Sequence, residues 1–183
     1  MDKIERAQVR LLLEHLGAER RKATTERNET MQADHSAKGV LRSGGTVRAA
    51  LRIAEELATG YVKEVVSAVS DVAKDVDAFN MIVTDVTIMF QELQPVIDQA
   101  VMITTFGDGV GLRSESVGKE ANRLLRDLQT KTLRLLEIHR FSFTQPSPND
   151  RAALFPAKAL SPQPHARKNT GGKPLAAHWD DMW

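Results

Sequence analysis

The feature that most constrains the fold is an apolar pattern with a seven-residue period between residues 62 and 100. The first and fourth positions of every heptad in this run are apolar. The first positions are Val62, Val69, Val76, Val83, Phe90 and Ile97, and the fourth positions are Val65, Val72, Phe79, Val86, Leu93 and Ala100. Such a repeat predicts a long helix that packs along its whole length.

The positions that flank this apolar seam are also largely apolar, so the predicted face is too wide for a simple two-stranded coiled coil. They include Val66, Ala68, Ala73, Ile82, Met89 and Val96. We therefore expect an all-α fold, an elongated helical bundle built on this long helix. Pro95 lacks an amide proton, which predicts a kink or a restart of the helix near Gln94.

Residues 81–90 leave an alternative open, because β-branched side chains are frequent there and favour a strand. A strand would require strict alternation of apolar and polar residues, which Val83 and Met89 break. The heptad phase, in contrast, passes through this stretch unchanged. The helix is the preferred prediction.

Asp2 and Glu5 have the spacing of a capping box, which predicts that the first helix begins directly after Asp2. Gly17 can end this helix, or the polar residues 18–35 can continue it as a solvated helix. The polar run has no apolar stripe, so the sequence leaves its order open.

The pair Gly44-Gly45 is expected to interrupt the chain, with Ser43 or Thr46 as the N-cap of the next helix. The interpretation as a corner between helices is preferred over an anion-binding turn, because no phosphate-loop lysine follows at the required spacing. The glycines at positions 107, 109 and 111 likewise predict a loop rather than a nucleotide site.

A further long helix is predicted from a cap at Ser114 or Ser116 to about His139, and Phe141 and Phe143 are expected to fold back onto the bundle. One face of this helix is apolar, and the opposite face carries a basic stripe. The stripe contains Lys119, Arg123, Arg126 and Arg134. The stripe is either a solvated surface or a contact for a phosphate backbone or an anionic membrane.

The composition changes at Pro146, since six of the seven prolines lie between residues 146 and 174. Proline disfavours both helix and sheet. We therefore predict a helical bundle domain in residues 1–143, a disordered, flexible basic linker in 144–173, and a short amphipathic helix or recognition motif in 174–183.

Both tryptophans lie in the last five residues. On a helix that begins at Pro174, four apolar side chains share one face with the spacing of a helix laid into a groove. These side chains are Leu175, Trp179, Met182 and Trp183. The segment is predicted to dock on its own bundle or on a partner. The same pattern also fits the first turns of a longer helix in a truncated chain.

No pattern in the sequence indicates catalysis, so no catalytic residue, cofactor or metal site is expected. The chain has no cysteine, and none of its five histidines has a histidine partner four residues away. Asp71, Asp75 and Asp77 could contact a divalent cation, but solvated acids on an outer helix face are the preferred interpretation. The weak default is a protein that is not an enzyme.

The net charge of +1 is unevenly distributed, with +2 in residues 1–60, −6 in 61–112 and +5 in 113–183. Helices that pack with complementary edges explain this distribution, and a basic surface for an anionic partner is the alternative. The most apolar stretch, 81–103, contains three acids and a proline and is not expected to span a membrane. A cytoplasmic location is expected, although export by an unrecognised route remains open.

These patterns predict a non-enzymatic interaction or assembly protein that self-associates, as a homo-oligomer, or binds a helical partner. Its terminal tryptophan segment would act as the docking element. The first alternative is a nucleic-acid-associated protein that uses the basic helix face and the basic linker. The second is a small regulator or effector that acts at membranes through an amphipathic face.

Overall fold

The structure is a computed structural model that describes residues 1–105 and 112–144, with side chains described except at 112–114. The described residues are almost entirely helical and contain no strand, which confirms the all-α prediction. The helices are α1 (Lys3–Ala37), α2 (Gly44–Val72), α3 (Val76–Thr105), α4 (Leu112–Ile138) and α5 (Arg140–Phe143). They belong to one compact unit.

The capping box predicted at the start of α1 is present. The Asp2 carboxylate accepts hydrogen bonds of 2.7 Å from the amides of Ile4 and Glu5, and the Glu5 carboxylate accepts one of 2.8 Å from the amide of Asp2. Gly17 does not end the helix. The polar run 18–35 continues it, which is the second of the two alternatives.

A corner that includes Gly39 joins α1 to α2. Gly39 has a φ of +67°, a conformation that favours glycine. Ser43 is the N-cap of α2, as predicted, but its side chain makes no capping hydrogen bond. Thr46 is buried instead, and its hydroxyl donates to the carbonyl of Leu41 at 2.8 Å. The glycine pair therefore marks a helix corner.

The prediction of one long helix through residues 62–100 is wrong, because the heptad run is divided between α2 and α3. Ala73 is extended (φ −147°, ψ 138°), and the Asp75 carboxylate accepts a hydrogen bond of 2.9 Å from the amide of Ala78 in the first turn of α3. Heptad spacing specifies which face is buried but not whether the chain is continuous. The two halves fold back and bury their apolar faces against each other.

Residues 81–90 are helical, as preferred over a strand, and α3 runs through Pro95 to Thr105 without ending. The predicted restart near Gln94 is therefore wrong. Proline removes one amide donor from the helix, and the remainder of the helix is supported by packing. Ile97, Ala100 and Val101, which follow the proline, are all buried.

Consecutive helices run antiparallel. His35 meets Thr46 between α1 and α2, and Gln94 meets Asn122 between α3 and α4. The central pair, α2 and α3, packs against both α1 and α4, whereas no extensive contact joins α1 to α4. The core is aliphatic and lies along the central pair.

Helix α4 begins at Leu112, so the predicted caps at Ser114 and Ser116 are wrong; Ser116 lies within the helix. Helix α5 folds back as predicted for Phe143, whose ring is buried and lies 5.7 Å from that of Phe79, between ring centroids. Phe141, in contrast, is 78% exposed, so the same prediction is wrong for it.

Candidate interaction surfaces

A buried polar network joins the first three helices near their midpoints. The Tyr61 hydroxyl of α2 donates a hydrogen bond to the Asp85 carboxylate of α3. The Arg20 guanidinium of α1 lies over the Tyr61 ring, 5.0 Å from its centroid, and pairs with Glu92 of α3. Arg21 also pairs with Glu92, at 3.2 Å. The network fixes the rotation and height of α1 against the central pair.

The surroundings of Tyr61 favour its neutral phenol. Burial raises the pKa of Tyr61, and its hydrogen bond to Asp85 raises it further. A phenol whose pKa is raised is a poorer nucleophile and a poorer base at neutral pH. Arg20, only 8% exposed, has its charge matched by Glu92. Burial thus stabilises the neutral phenol of Tyr61, and the pair with Glu92 compensates the buried charge of Arg20.

A groove of about 420 Å³ lies between α1 and α3 beside this network. Its lining combines apolar side chains with charged residues. The lining residues are Arg10, Leu13, Glu14, Asn80, Met81, Thr84, Asp85 and Ile88. Asp85 therefore belongs both to the buried network and to the wall of the groove.

Large apolar side chains remain exposed on the two helices that form this groove. Ile4 and Leu11 on α1 are 70% and 66% exposed, and Ile88 on α3 is 44% exposed. Arg10 and Glu14, at the groove, form no ion pair with any other residue that the structure describes. The groove thus combines apolar side chains with two opposite charges that form no ion pair with another described residue.

The predicted basic stripe lies on α4, and local interactions engage three of its four cations. Lys119 pairs with Glu115 at 2.5 Å. Arg123 pairs with Glu120 at 2.6 Å and with Asp127 at 3.2 Å. The guanidinium of the third cation, Arg126, donates to a backbone carbonyl of its own helix. Acidic residues between the basic ones therefore neutralise part of the stripe.

The Arg123–Glu120 pair shifts the pKa of both partners. The hydrogen bond from Arg123 lowers the pKa of the Glu120 carboxyl, and the same hydrogen bond raises the pKa of Arg123. Both side chains are well exposed, so solvent screens the pair. The pair reduces the net charge of this part of α4 but adds little to the free energy of unfolding.

The fourth predicted cation, Arg134, lies apart from the other three, in a groove of about 540 Å³ between α2 and α4. This groove brings together Arg48 and Arg52 of α2 with Lys131 and Arg134 of α4, and these four basic residues outnumber the two acids in its lining, Glu55 and Asp127. Only Arg52 has an ionic partner within the described chain, Glu56 at 3.8 Å. The structure thus assembles a cationic groove different from the predicted stripe.

Leu175, Trp179, Met182 and Trp183 lie outside the described residues, as do the predicted linker 144–173 beyond residue 144 and the glycine loop at 107–111. Their predicted roles stay predictions. The boundaries of the predicted domains also stay predictions.

The acids Asp75 and Asp77 contact cations of the protein itself. The ammonium group of Met1 pairs with Asp75, and Arg6 pairs with Asp77 at 2.9 Å. Burial acts to raise the pKa of Asp75, but the hydrogen bonds from the Met1 ammonium and the Ala78 amide lower it overall. Across residues 1–105 and 112–144, no cluster of three or more His, Asp or Glu side chains could hold a metal ion.

Within the described chain, no helix has the length and apolarity needed to cross a membrane. Comparison with known proteins gives no match to a family model, a curated protein or a solved structure.

Sequence reasoning missed the buried network and both grooves. The signal for the network was present, because Arg20, Thr24 and Asn28 recur every four residues and face inward from α1. The polar stretch of α1 has a narrow buried stripe made of polar residues, so a search for apolar periodicity passes over it.

Proposed function

We propose that this chain is a non-enzymatic helical interaction protein that assembles with another helical surface, either its own or a partner's. The observation that carries the proposal is the groove between α1 and α3. Leu13, Met81 and Ile88 give the groove an apolar lining, and Ile88 is 44% exposed. A helix that lays its apolar face into this groove would bury Ile88.

The proposal includes the terminal segment as a docking element, which rests on the sequence. Leu175, Trp179, Met182 and Trp183 provide the four anchors of an amphipathic helix. An isolated helix of about ten residues is marginal in water, so the segment requires a surface against which to fold. A cytoplasmic location is also part of the proposal, and the absence of cysteine from the sequence is compatible with it.

Two measurements test this function. Light scattering of the full chain across a concentration series should give a molar mass above that of the 20.3 kDa monomer. Affinity capture from a lysate should recover a defined partner with the full chain, and less of it with a chain that lacks 174–183. A monomer at every concentration that captures no specific protein would contradict the proposal.

A second candidate function is the binding of nucleic acid, which the cationic groove between α2 and α4 favours. Arg48, Lys131 and Arg134 lie in one groove without ionic partners among the described residues. Cations that contact phosphates release counterions, so binding of this kind weakens steeply as salt increases.

Fluorescence anisotropy with labelled duplex and single-stranded DNA at low and high salt tests this candidate. Arg48→Glu and Arg134→Glu should abolish the binding. Arg123→Glu is the matched control, because Arg123 is already paired with Glu120 and Asp127. If the wild-type chain produces no change in anisotropy at low salt, or if the control variant loses binding equally, this candidate is wrong.

A further inference from the structure

We infer that the exposed face of α1, beside the groove between α1 and α3, is a two-fold self-association site, in which α1 of a second copy packs antiparallel to α1. This inference rests on the proposed function and names a second copy of the chain as the partner. Three properties of α1 support it: its exposed apolar residues, its two unpaired charges and the spacing between them.

The first property is the spacing of the apolar residues on the exposed face of α1. Ile4, Leu11 and Ala18 are all exposed and are separated by seven residues, so they form a line along the helix. A two-fold axis at Leu11 places Leu11 against its copy. The same axis places the large Ile4 against the small Ala18 of the second copy. The line is therefore complementary to itself in the antiparallel orientation.

The second property is the pair of opposite charges at the groove. Arg10 and Glu14 are four residues apart, so they lie on the same side of α1, the side that faces α3. In this order, with the basic residue first, an i,i+4 pair is the less favourable arrangement within a helix. The two side chains form no ion pair with each other in the structure.

The third property is the height of these charges relative to the axis. With the axis at Leu11 and a rise of about 1.5 Å per residue, Arg10 comes within about 3 Å of the level of Glu14 in the second copy. Two-fold symmetry repeats each contact, so Glu14 meets Arg10 of the second copy in the same way. Each charge thus gains the partner that it lacks in the monomer.

A second copy therefore complements this face of α1 better than an unrelated helix does. An unrelated helix would cover Ile4 and Leu11, but it would pair with Arg10 and Glu14 only if its own charges happened to match. Charge complementarity of this kind fixes orientation and register more than it adds affinity. Substitution of these two charges should consequently change the self-association of the chain without changing its fold.

The test is a charge exchange measured by sedimentation equilibrium on the full chain. Arg10→Glu and Glu14→Arg each place like charges opposite one another in the dimer, so each should weaken it by roughly tenfold or more. Both side chains are exposed, so circular dichroism should show unchanged helicity. Arg126→Glu is the control, since it makes the same charge change on the exposed face of α4.

Mixing the two variants provides the decisive arm. An equimolar mixture of Arg10→Glu with Glu14→Arg places opposite charges at both contacts, and it should recover the wild-type association. The double variant R10E/E14R should recover it alone. Loss of association in both single variants with recovery in the mixture is the expected result.

Two outcomes overturn the inference and are distinguishable from failure of the proposed function. If the wild-type chain is still a monomer at about 100 µM, self-association is absent. A partner captured from a lysate would then still be compatible with an interaction protein. If the wild-type chain dimerises but both single variants dimerise equally well, the dimer uses another surface. In that case the proposed function stands and the site is wrong.

Discussion

The two outer helices, α1 and α4, pack against the same central pair, but they use their charged residues differently. The charges of α1 reach other helices: Arg6 pairs with Asp77, Arg20 and Arg21 with Glu92, and Arg27 with Glu56. These four pairs link α1 to α2 and α3, while His15–Glu19 and Lys22–Glu26 are pairs within α1. The charges of α4 pair mainly within the helix, as Lys119 does with Glu115, and Glu137 also pairs with Arg140 of α5 at 3.5 Å.

Different interactions therefore position the two helices. The first half of α1 packs through the buried Val9, Leu13 and Leu16, whereas one face of its second half is polar at Arg20, Thr24 and Asn28. Ion pairs and the Tyr61 network therefore add to apolar packing in setting its rotation and height. Helix α4 is positioned by buried leucines, among them Leu125 and Leu136. Apolar packing stabilises without specifying a direction, whereas charged pairs specify a geometry.

The largest effect is expected from Glu92→Gln, which leaves the Arg20 guanidinium buried without a counterion. Removal of one member of a buried pair is strongly destabilising. Because Glu92 is about one third exposed, we expect a loss of about 2 to 3 kcal/mol in the free energy of unfolding. Urea unfolding followed by circular dichroism measures this loss.

The matched control for that substitution is Glu56→Gln, which removes the partner of Arg27 on the exposed edge between α1 and α2. Both side chains of that pair are more than half exposed. The stability should then change by less than about 1 kcal/mol. Equal losses in the two variants would mean that burial of Arg20 plays no special part.

An intermediate effect is expected at alkaline pH, where Tyr61 titrates. Its pKa is raised in the folded chain, so its contribution to stability is fully present below about pH 10 and is lost as the pH rises above that value. The loss is at most about 1.4 kcal/mol per pH unit. Since Tyr61 is the only tyrosine, phenolate absorbance reports its ionisation directly.

The expected result is that phenolate absorbance appears only together with the loss of helical circular dichroism. Tyr61→Phe should remove this component of the pH dependence while the titration of the lysines continues as before. Ionisation of Tyr61 near pH 10 in a chain that is still fully folded would contradict the burial and hydrogen bonding of its hydroxyl.

The smallest effect is expected for Arg123→Ala on α4. This substitution removes the pairs with Glu120 and Asp127, both within the same helix and both exposed. Solvent screens such pairs, so the midpoint of urea unfolding should stay within the scatter of repeat measurements. A clear loss of stability would show that the charges of α4 are structural after all, and it would remove the contrast with α1.

Much of the fold follows from the sequence because apolar periodicity and capping are local signals. The capping box at Asp2, the corner at Gly44-Gly45 and the inward-facing side of α4 could all be predicted. The end of α2 at Val72 could not, because the heptad phase continues across Ala73–Asp75 and the reversal depends on packing between the two halves. Hydrophobic spacing contains no information about that reversal.

The surfaces were harder to predict than the fold, because each depends on residues that are distant in the chain. Arg134 belongs to the predicted basic stripe of α4, but its cationic neighbours in the groove include Arg48 and Arg52 of α2. The sequence pattern gave Lys119 and Arg123 the same role as Arg134 in binding an anionic partner, but each of them pairs with an acid one turn away in its own helix. A helical projection shows on which side of the helix the cations lie, but it does not show which acidic residues pair with them.

The central claim is that the exposed side of α1 is the surface through which this chain assembles, while α4 has a structural part. Hydrogen–deuterium exchange of the full chain across a concentration series tests it most directly. As the concentration rises, amide protection should increase in residues 4–18 of α1, and α4 should not change. Association accompanied by new protection on α4, with residues 4–18 unaffected, would contradict the claim.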